Sequence, residues 1–336
     1  ERMGEFERSL DMTRRARTLF AQLGAFAEET NAMIGIGRTY VVQCRYRDAS
    51  VEYDAIIERV QASGDLWLER VARNHIAVIR LCLGEFEPAM ASIQRALTIC
   101  RRYGDHAREG DCLSVGGTIL LEVGRNGEAS EYFQRALAIL ERTESRWSRA
   151  DCLVYAGLNQ ARLGHFDRAL EMIDESLRLA GEIGAPYIHA NALLARSGAL
   201  LERDDASLVS RAREATHQAV AIAREAELVG SEIQGLSRLA LATWRGGDLE
   251  QAIPLSVRAL ELLDAQGTIE GAEEEVFYIH YQLLRAAADD GAGAVLARAR
   301  TELDRKMAAM NDPAWLEAYR AVPLIAAVLA ASAAAA

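Results

Sequence analysis

The sequence has little proline, cysteine and lysine, and each scarcity removes a class of structure or site. Five prolines in 336 residues leave long stretches without a helix breaker. Five cysteines, an odd number with no C-x-x-C spacing, argue against a disulfide framework and fit a reduced cytosolic chain. Because Lys306 is the single lysine, a phosphate-binding loop ending in Gly-Lys-Ser or Gly-Lys-Thr cannot occur.

Charge and hydropathy argue against two kinds of partner. The formal net charge of −11 disfavours nucleic acid, whose binding depends on neutralising phosphates. The apolar run at residues 321–336 contains Pro323 and is too short for a membrane span. No N-terminal signal peptide is visible. We therefore predict a cytoplasmic protein with neither nucleic acid nor membrane as a partner.

Motifs for metal binding or catalysis are missing. The six histidines form no H-x-x-x-H pair and lie apart from the cysteines, so we predict no metal and no cofactor. Gly35 and Gly37 follow no strand, which argues against dinucleotide binding. The acidic runs at 204–205 and 273–275 are predicted to be solvated helix starts. The chain is therefore predicted not to be an enzyme, and no motif favours a helical-repeat enzyme.

A six-residue pattern of glycine, a central aromatic or apolar residue and a final small residue recurs about every 40 residues. Half of the residues are hydrophobic, and Ala, Leu, Glu and Arg, which favour helices, dominate. The repeat predicts pairs of helices, A and B, about 14 to 16 helices in total, and no strand. The copies are Gly4–Ser9, Cys44–Ala49, Gly84–Ala89, Gly124–Ala129, Gly164–Ala169 and, after a slip at 202–210, Gly247–Ala252.

Each repeated position has a predicted structural role. Glycines at the motif start, such as Gly84, are expected to end helix A in a left-handed conformation, and Cys44 is expected to be strained there. Aromatic residues are expected to fill the space between paired helices: Phe6, Tyr46, Phe86 and Phe166. Small residues should allow close packing of helix A, at Gly37, Ala77, Gly117, Gly157, Gly198 and Ala240, and of helix B, at Ala49, Ala89, Ala129, Ala169, Ala212 and Ala252.

This spacing of Gly-x-aromatic-x-x-Ala resembles the tetratricopeptide repeat in its extended form, as in kinesin light chains and large bacterial signalling ATPases. The resemblance implies an all-α, right-handed α-solenoid (superhelix) of helical hairpins with a C-terminal capping helix. Residues 1–310 would form the array, with a truncated first repeat, and residues 311–336 the capping helix and an Ala-rich tail. Asp312 is expected to cap that helix and Pro313 to begin it.

In this family helix A lines the concave groove, which implies a binding surface for a protein or peptide. Asn and Arg side chains there can pair with a peptide backbone and with carboxylates. The alternative is a groove whose polar residues contact only water and bind no partner. The lysines with which chaperone-binding members read a C-terminal carboxylate are absent. Arg38 and Asn74 are expected to face solvent. The predicted contact residues are Asn31, Arg38, Asn74, Asp111, Ser114, Thr118, Asp151, Gln234, Trp244 and Arg245.

Two settings for this binding function remain open. The first is the sensor segment of a larger bacterial signalling regulator, with an ATPase or kinase as its upstream effector domain. It is suggested by the start of the sequence inside a repeat, and by the segment from Trp315 to Ala330, which resembles the end of such regulators. The second is a free-standing adaptor or peptide receptor.

Overall fold

The computed structural model describes residues 2–203 and 205–335, with side chains from residue 8 onward. Across those residues it contains 17 helices and no strand. A single helix, α1 (Arg2–Leu23), precedes seven hairpins, and α16 (Pro313–Arg320) and α17 (Pro323–Ala335) follow them. The hairpins are α2 (Phe26–Val42) with α3 (Tyr46–Ser63), α4 (Leu66–Cys82) with α5 (Phe86–Tyr103), α6 (His106–Glu122) with α7 (Asn126–Arg142), α8 (Arg146–Arg162) with α9 (Phe166–Ile183), α10 (Pro186–Leu201) with α11 (Ala206–Glu225), α12 (Val229–Arg245) with α13 (Leu249–Gln266), and α14 (Glu273–Ala286) with α15 (Ala292–Ala308).

The all-α hairpin fold is confirmed, and the predicted number of helices is one too low. The reason lies in the C-terminal segment, where Pro323 begins a second helix after α16. The chain divides into two compact units, Glu1–Asp105 (unit 1) and His106–Ala336 (unit 2). Unit 1 contains α1 to α5 and unit 2 contains α6 to α17.

Close contact between helix A and helix B holds each hairpin together. A β-carbon on Gly117 would lie 2.7 Å from Phe133, and one on Gly157 would lie 2.7 Å from Ile173. The structure therefore confirms the predicted packing role of these two glycines. The predicted alanines of helix B have no exposed surface, at Ala49, Ala89, Ala129, Ala169, Ala212 and Ala252.

The packing role predicted for Gly198 is wrong. A β-carbon on Gly198 would meet no atom closer than Nη1 of Arg238, at 3.9 Å. Ser197 takes the packed position instead, since it is fully buried and its hydroxyl lies 2.6 Å from Oγ1 of Thr216. The 40-residue spacing still holds at this point, because the register slips only in the turn that follows α10 and in α11, which has 20 residues.

The predicted turn residues after helix A are left-handed, with one exception. Gly84, Gly124, Gly164 and Gly247 follow helix A with φ between 73° and 93°. Cys44 takes the same conformation, with φ of 55°, which is costly for a residue with a side chain and confirms the expected strain. Gly4 instead lies inside α1. Tyr46 and Phe86 are buried and Phe166 partly so, as expected of the aromatic residues, whereas the side chain of Phe6 falls outside the described residues.

The acidic run 273–275 is not the solvated helix start that the sequence suggested. Glu274 is 2% exposed, and both of its carboxylate oxygens accept hydrogen bonds from Nζ of Lys306, at 2.9 and 2.7 Å. The hydroxyl of Tyr319 donates to the same carboxylate at 3.2 Å. Burial and the charge of Glu274 raise the pKa of Tyr319. A buried ion pair therefore connects α14, α15 and α16.

The two C-terminal helices pack against the hairpins of unit 2, to which they belong. Asp312 accepts a hydrogen bond from the backbone N–H of Ala314, which confirms the predicted cap. The guanidinium of Arg125, in the turn between α6 and α7, lies 5.5 Å from the ring centre of Trp315. α17 packs against α15. No single described helix is long and apolar enough to cross a bilayer; α16 and α17 pass that test only as a pair, bent by 79° at their junction.

The hairpin contacts predict the effect of larger side chains. Gly117→Leu or Gly157→Leu should overpack the contact between helix A and helix B, lowering the free energy of unfolding by about 1–3 kcal/mol. Gly181→Leu is a matched control, because no atom lies within 4 Å of a β-carbon there. Urea unfolding measures the three variants. Equal midpoints for all three would show that the A–B contact tolerates a side chain.

The buried ion pair predicts an asymmetric response. Lys306→Met leaves the carboxylate of Glu274 buried without its cation and should cost about 3–5 kcal/mol of unfolding free energy. Combining it with Glu274→Leu should recover most of that loss, since no buried charge then remains. Arg300→Met, which breaks the exposed pair of Arg300 with Asp304, should cost less than about 1 kcal/mol. Thermal unfolding compares the variants, and equal losses for the two single changes would contradict the role of burial.

Candidate functional site

The predicted contact residues of unit 1 lie on its A helices. Asn31 and Arg38, on α2, are exposed, and Asn74, on α4, is partly buried. Asn31 is the sixth residue of its helix, a position that recurs in unit 2. Unit 1 therefore presents an amide and a guanidinium to solvent, as the sequence predicted.

In unit 2, successive A helices contact each other, so equivalent positions lie side by side. The sixth residue is Asp111 in α6, Asp151 in α8, Asn191 in α10 and Gln234 in α12. The side chain of Asn191 accepts a hydrogen bond from the hydroxyl of Ser231, at 3.2 Å. We call the surface formed by the first two turns of α8, α10 and α12 the unit 2 groove.

The segment that connects α13 to α14, residues 267–272, lies in the unit 2 groove; we call it the α13–α14 loop. The hydroxyl of Tyr187, on α10, donates a hydrogen bond to the carboxylate of Glu270 at 2.8 Å. The side-chain amide of Gln234, on α12, donates to the backbone carbonyl of Glu270. Ile269 is fully buried, and the nearest atom to a β-carbon on Gly230 would be the Cβ of Ile269, at 3.9 Å. The groove therefore holds a non-helical segment through one apolar and two polar contacts.

Gly271 is required by the same arrangement. Its φ is +110°, a value that residues with a side chain rarely adopt. A β-carbon on Gly271 would also collide with the side-chain amide of Gln234. A side chain at this position would strain the loop backbone and would require the amide of Gln234 to move.

The electrostatics of the unit 2 groove are unfavourable to the loop at high pH. Burial, followed by the charges of Glu270 and Asp111, raises the pKa of Asp151 to about 7. Burial also raises the pKa of Glu270, although the hydrogen bond from Tyr187 opposes this. Asp111 pairs with Arg108 at 2.9 Å, whereas no cation among the described residues pairs with Asp151 or Glu270. Two carboxyl groups therefore share the groove without a compensating charge.

Two of the predicted contact residues do not face solvent. Ser114 and Thr118 are only 6% and 8% exposed. The hydroxyl of Thr118 donates to the backbone carbonyl of Ser114 at 3.1 Å, and the hydroxyl of Ser114 hydrogen-bonds to the thiol of Cys152. The hydroxyl of Ser114 therefore joins α6 to α8, whereas that of Thr118 is bound within its own helix.

Trp244 and Arg245 also have structural contacts. Trp244 packs against a core cluster that includes Ile279 and Leu283, so its ring does not lie free in the groove. Nη1 of Arg245 donates to the carbonyl of Leu201, at 2.7 Å. That carbonyl belongs to the last turn of α10, where no amide of the same helix can reach it. A guanidinium there satisfies the helix end and suits its negative dipole.

A second arginine of α12, Arg238, was not among the predicted contact residues and joins α12 to the middle of α10 and to the start of α14. Nη1 of Arg238 donates to the carbonyl of Leu194 at 3.1 Å, while its other nitrogens bind both carboxylate oxygens of Glu275 at 3.0 and 2.9 Å. Arg162, on α8, resembles Arg245, since it donates to the carbonyl of Leu121 in the last turn of α6. The last turns of the A helices are therefore joined by arginines, and the first two turns hold the α13–α14 loop.

Three residues of the groove were missed. Asn191 continues the spacing of Asp111 and Asp151 and could have been identified from the repeat. Tyr187 occupies a helix start whose contact partner lies 83 residues away. Glu270 lies in a connection outside the repeat pattern, so no periodic signal marks it.

The two carboxyl groups predict a dependence on pH. The pKa of Asp151 is about 7 in the folded protein and about 4 in the unfolded chain. Its contribution to the free energy of unfolding is therefore fully present below pH 4 and is lost as the pH rises through 7. Glu270→Gln keeps the acceptor for Tyr187 and removes one charge. It should raise the unfolding free energy at pH 8 by on the order of 1–2 kcal/mol and change little at pH 4.

Urea unfolding at both pH values checks this expectation. Glu225→Gln removes an equal charge from an exposed site on α11 and should leave the pH dependence of the wild type intact. If Glu270→Gln retains the wild-type loss of stability between pH 4 and pH 8, the carboxyl pair does not control it.

Comparison with known proteins agrees with this architecture. Residues 68–142 match a family model described as tetratricopeptide repeat. A search of curated proteins gives no match.

Solved structures match over nearly the whole chain at low identity. A Rap protein complexed with competence and sporulation factor is 14% identical, with a TM-score of 0.60 over 98% of this chain and 97% of that one. NprR in complex with its cognate peptide NprX is 13% identical, with a TM-score of 0.61 over 95% and 98%. A signal transduction ATPase with numerous domains from Pyrococcus horikoshii, which has a tetratricopeptide repeat sensor, is 14% identical, with a TM-score of 0.55 over 97% of this chain and 47% of that one. Residues 68–142 therefore carry a tetratricopeptide repeat match, and the chain shares the all-α fold of stacked helical hairpins with these structures.

Proposed function

We propose that this chain binds an extended segment of a peptide or protein on the faces of its A helices. The observation that carries the proposal is the α13–α14 loop in the unit 2 groove. There, side chains of α10 and α12 already hold a backbone carbonyl and an acidic side chain of a non-helical segment. A surface that binds such a segment of its own chain has the chemistry to bind one from another molecule.

The residue types support this function. An extended backbone presents carbonyl and N–H groups along its length, and the amides of Asn and Gln can both donate and accept. Asn31, Asn191 and Gln234 occupy the same position in their A helices. The structures of Rap and NprR that resemble this chain contain peptide ligands, which is consistent with the proposal.

Both settings for the binding function have a structural counterpart. A sensor segment of a larger regulator, with an upstream ATPase or kinase, is supported by the signalling ATPase, of which the match covers 47%. A free-standing peptide receptor is supported by Rap and NprR, of which the match covers nearly the whole chain. The full-length reading frame distinguishes the two, since only the first setting requires an effector domain.

Peptides selected from a random phage-displayed library test the proposal. We expect selected peptides to lose affinity by about 1–3 kcal/mol for each change at a contacted groove residue, either Arg38→Ala and Asn74→Ala in unit 1 or Tyr187→Phe and Gln234→Ala in unit 2. Arg38 adds a planar donor that suits a carboxylate. Fluorescence anisotropy with purified variants measures the affinities.

Arg47→Ala is the control for unit 1, because it removes an exposed arginine from helix B. It should leave the affinities unchanged. Selected peptides that bind all the A-helix variants as tightly as the wild type would show that the A-helix faces do not bind them.

A further inference from the structure

Three consecutive residues of the α13–α14 loop each meet a different part of the unit 2 groove. Ile269 is fully buried beside Gly230, Glu270 is held by Tyr187 and Gln234, and Gly271 lies where a β-carbon would strike Gln234. The contacts therefore distinguish the loop by sequence and not only by shape. They select an apolar residue, then a hydrogen-bond acceptor, then glycine.

The middle position favours a neutral acceptor. The hydroxyl of Tyr187 needs only an oxygen at 2.8 Å, which a glutamine supplies as well as a glutamate does. A carboxylate at this position helps to raise the pKa of Asp151, and no cation among the described residues pairs with either group. The amide group of glutamine carries no charge and can donate to a carboxylate. A segment with glutamine at this position therefore avoids the repulsion that the loop experiences.

We propose that the unit 2 groove recognises an external peptide segment with the order apolar residue, Gln or Glu, Gly, and that the α13–α14 loop is its intramolecular competitor. The proposal rests on the proposed peptide-binding function and specifies its ligand and its regulation. Because the loop is tethered beside the groove, its effective concentration is in the millimolar range. An external segment must bind well enough to displace the loop. A chain whose loop cannot enter the groove should therefore bind that segment more tightly.

The test uses a fluorescein-labelled peptide with the loop sequence from Gln266 to Ala272 and glutamine at the position of Glu270. Its affinity for the full chain is measured by fluorescence anisotropy for the wild type, Gly271→Ala and Gly267→Ala. Both glycines have positive φ, so both changes strain the loop backbone. Only Gly271→Ala collides with Gln234, since no atom lies within 4 Å of a β-carbon at Gly267.

We expect Gly271→Ala to bind the peptide at least about tenfold more tightly than the wild type, and Gly267→Ala to resemble the wild type. A peptide with alanine in place of its second glycine should bind none of the three chains. Equal affinities of the three chains for the glutamine peptide, or no binding by any of them, would overturn the proposal.

Hydrogen exchange of the wild type provides a second measurement that does not depend on the folding of a variant. Saturating peptide should accelerate amide exchange at residues 268–272, because the displaced loop loses its burial. Unchanged exchange while peptide is bound would overturn the competition. Both measurements concern only unit 2 and one defined peptide. A negative result would therefore not affect the proposed function if library peptides still bind through Arg38 and Asn74.

Discussion

The close approach of helix A to helix B at small residues is the constraint on which the rest of the structure depends. The alanines of helix B have no exposed surface, and Gly117 and Gly157 leave no room for a β-carbon. Dense packing of this kind admits little volume change, so each hairpin has nearly one geometry. Repetition of that geometry brings the same positions of neighbouring A helices together. The groove residues are aligned because the hairpin contacts are uniform.

The aligned A helices of unit 2 form a groove, but a segment of the same chain occupies it. The connection from α13 to α14 is longer than the other connections of unit 2, and it lies across the starts of α10 and α12. Its position disfavours a side chain at Gly271, and the charge of Glu270 helps to raise the pKa of Asp151. A contact that is sterically specific but electrostatically unfavourable can be exchanged for a better ligand. That combination distinguishes the loop from the buried pair of Glu274 and Lys306, where the charges are matched.

Side chains of the same charged type therefore have different roles at different positions of the repeat. Arg38 lies exposed on unit 1, whereas Arg162 and Arg245 satisfy carbonyls in the last turns of neighbouring A helices. The difference follows from position along helix A, because the last turn has carbonyls without partners and the middle of the helix has none. Glu274 and Glu275 likewise become part of the interior, since α15, α16 and α12 bring cations and a tyrosine to them.

The sequence by itself determined the hairpins, most of their register and the left-handed glycines of the turns, because close helix packing and positive φ restrict those positions to small residues in nearly every copy. It placed Gly198 in a role that belongs to Ser197, since composition was followed there instead of spacing. It could not show that Thr118 is buried, that Arg245 binds a helix end, or that Glu270 enters the groove. Those outcomes were decided by the tertiary structure, because each joins residues tens of positions apart through a contact that no periodic pattern encodes.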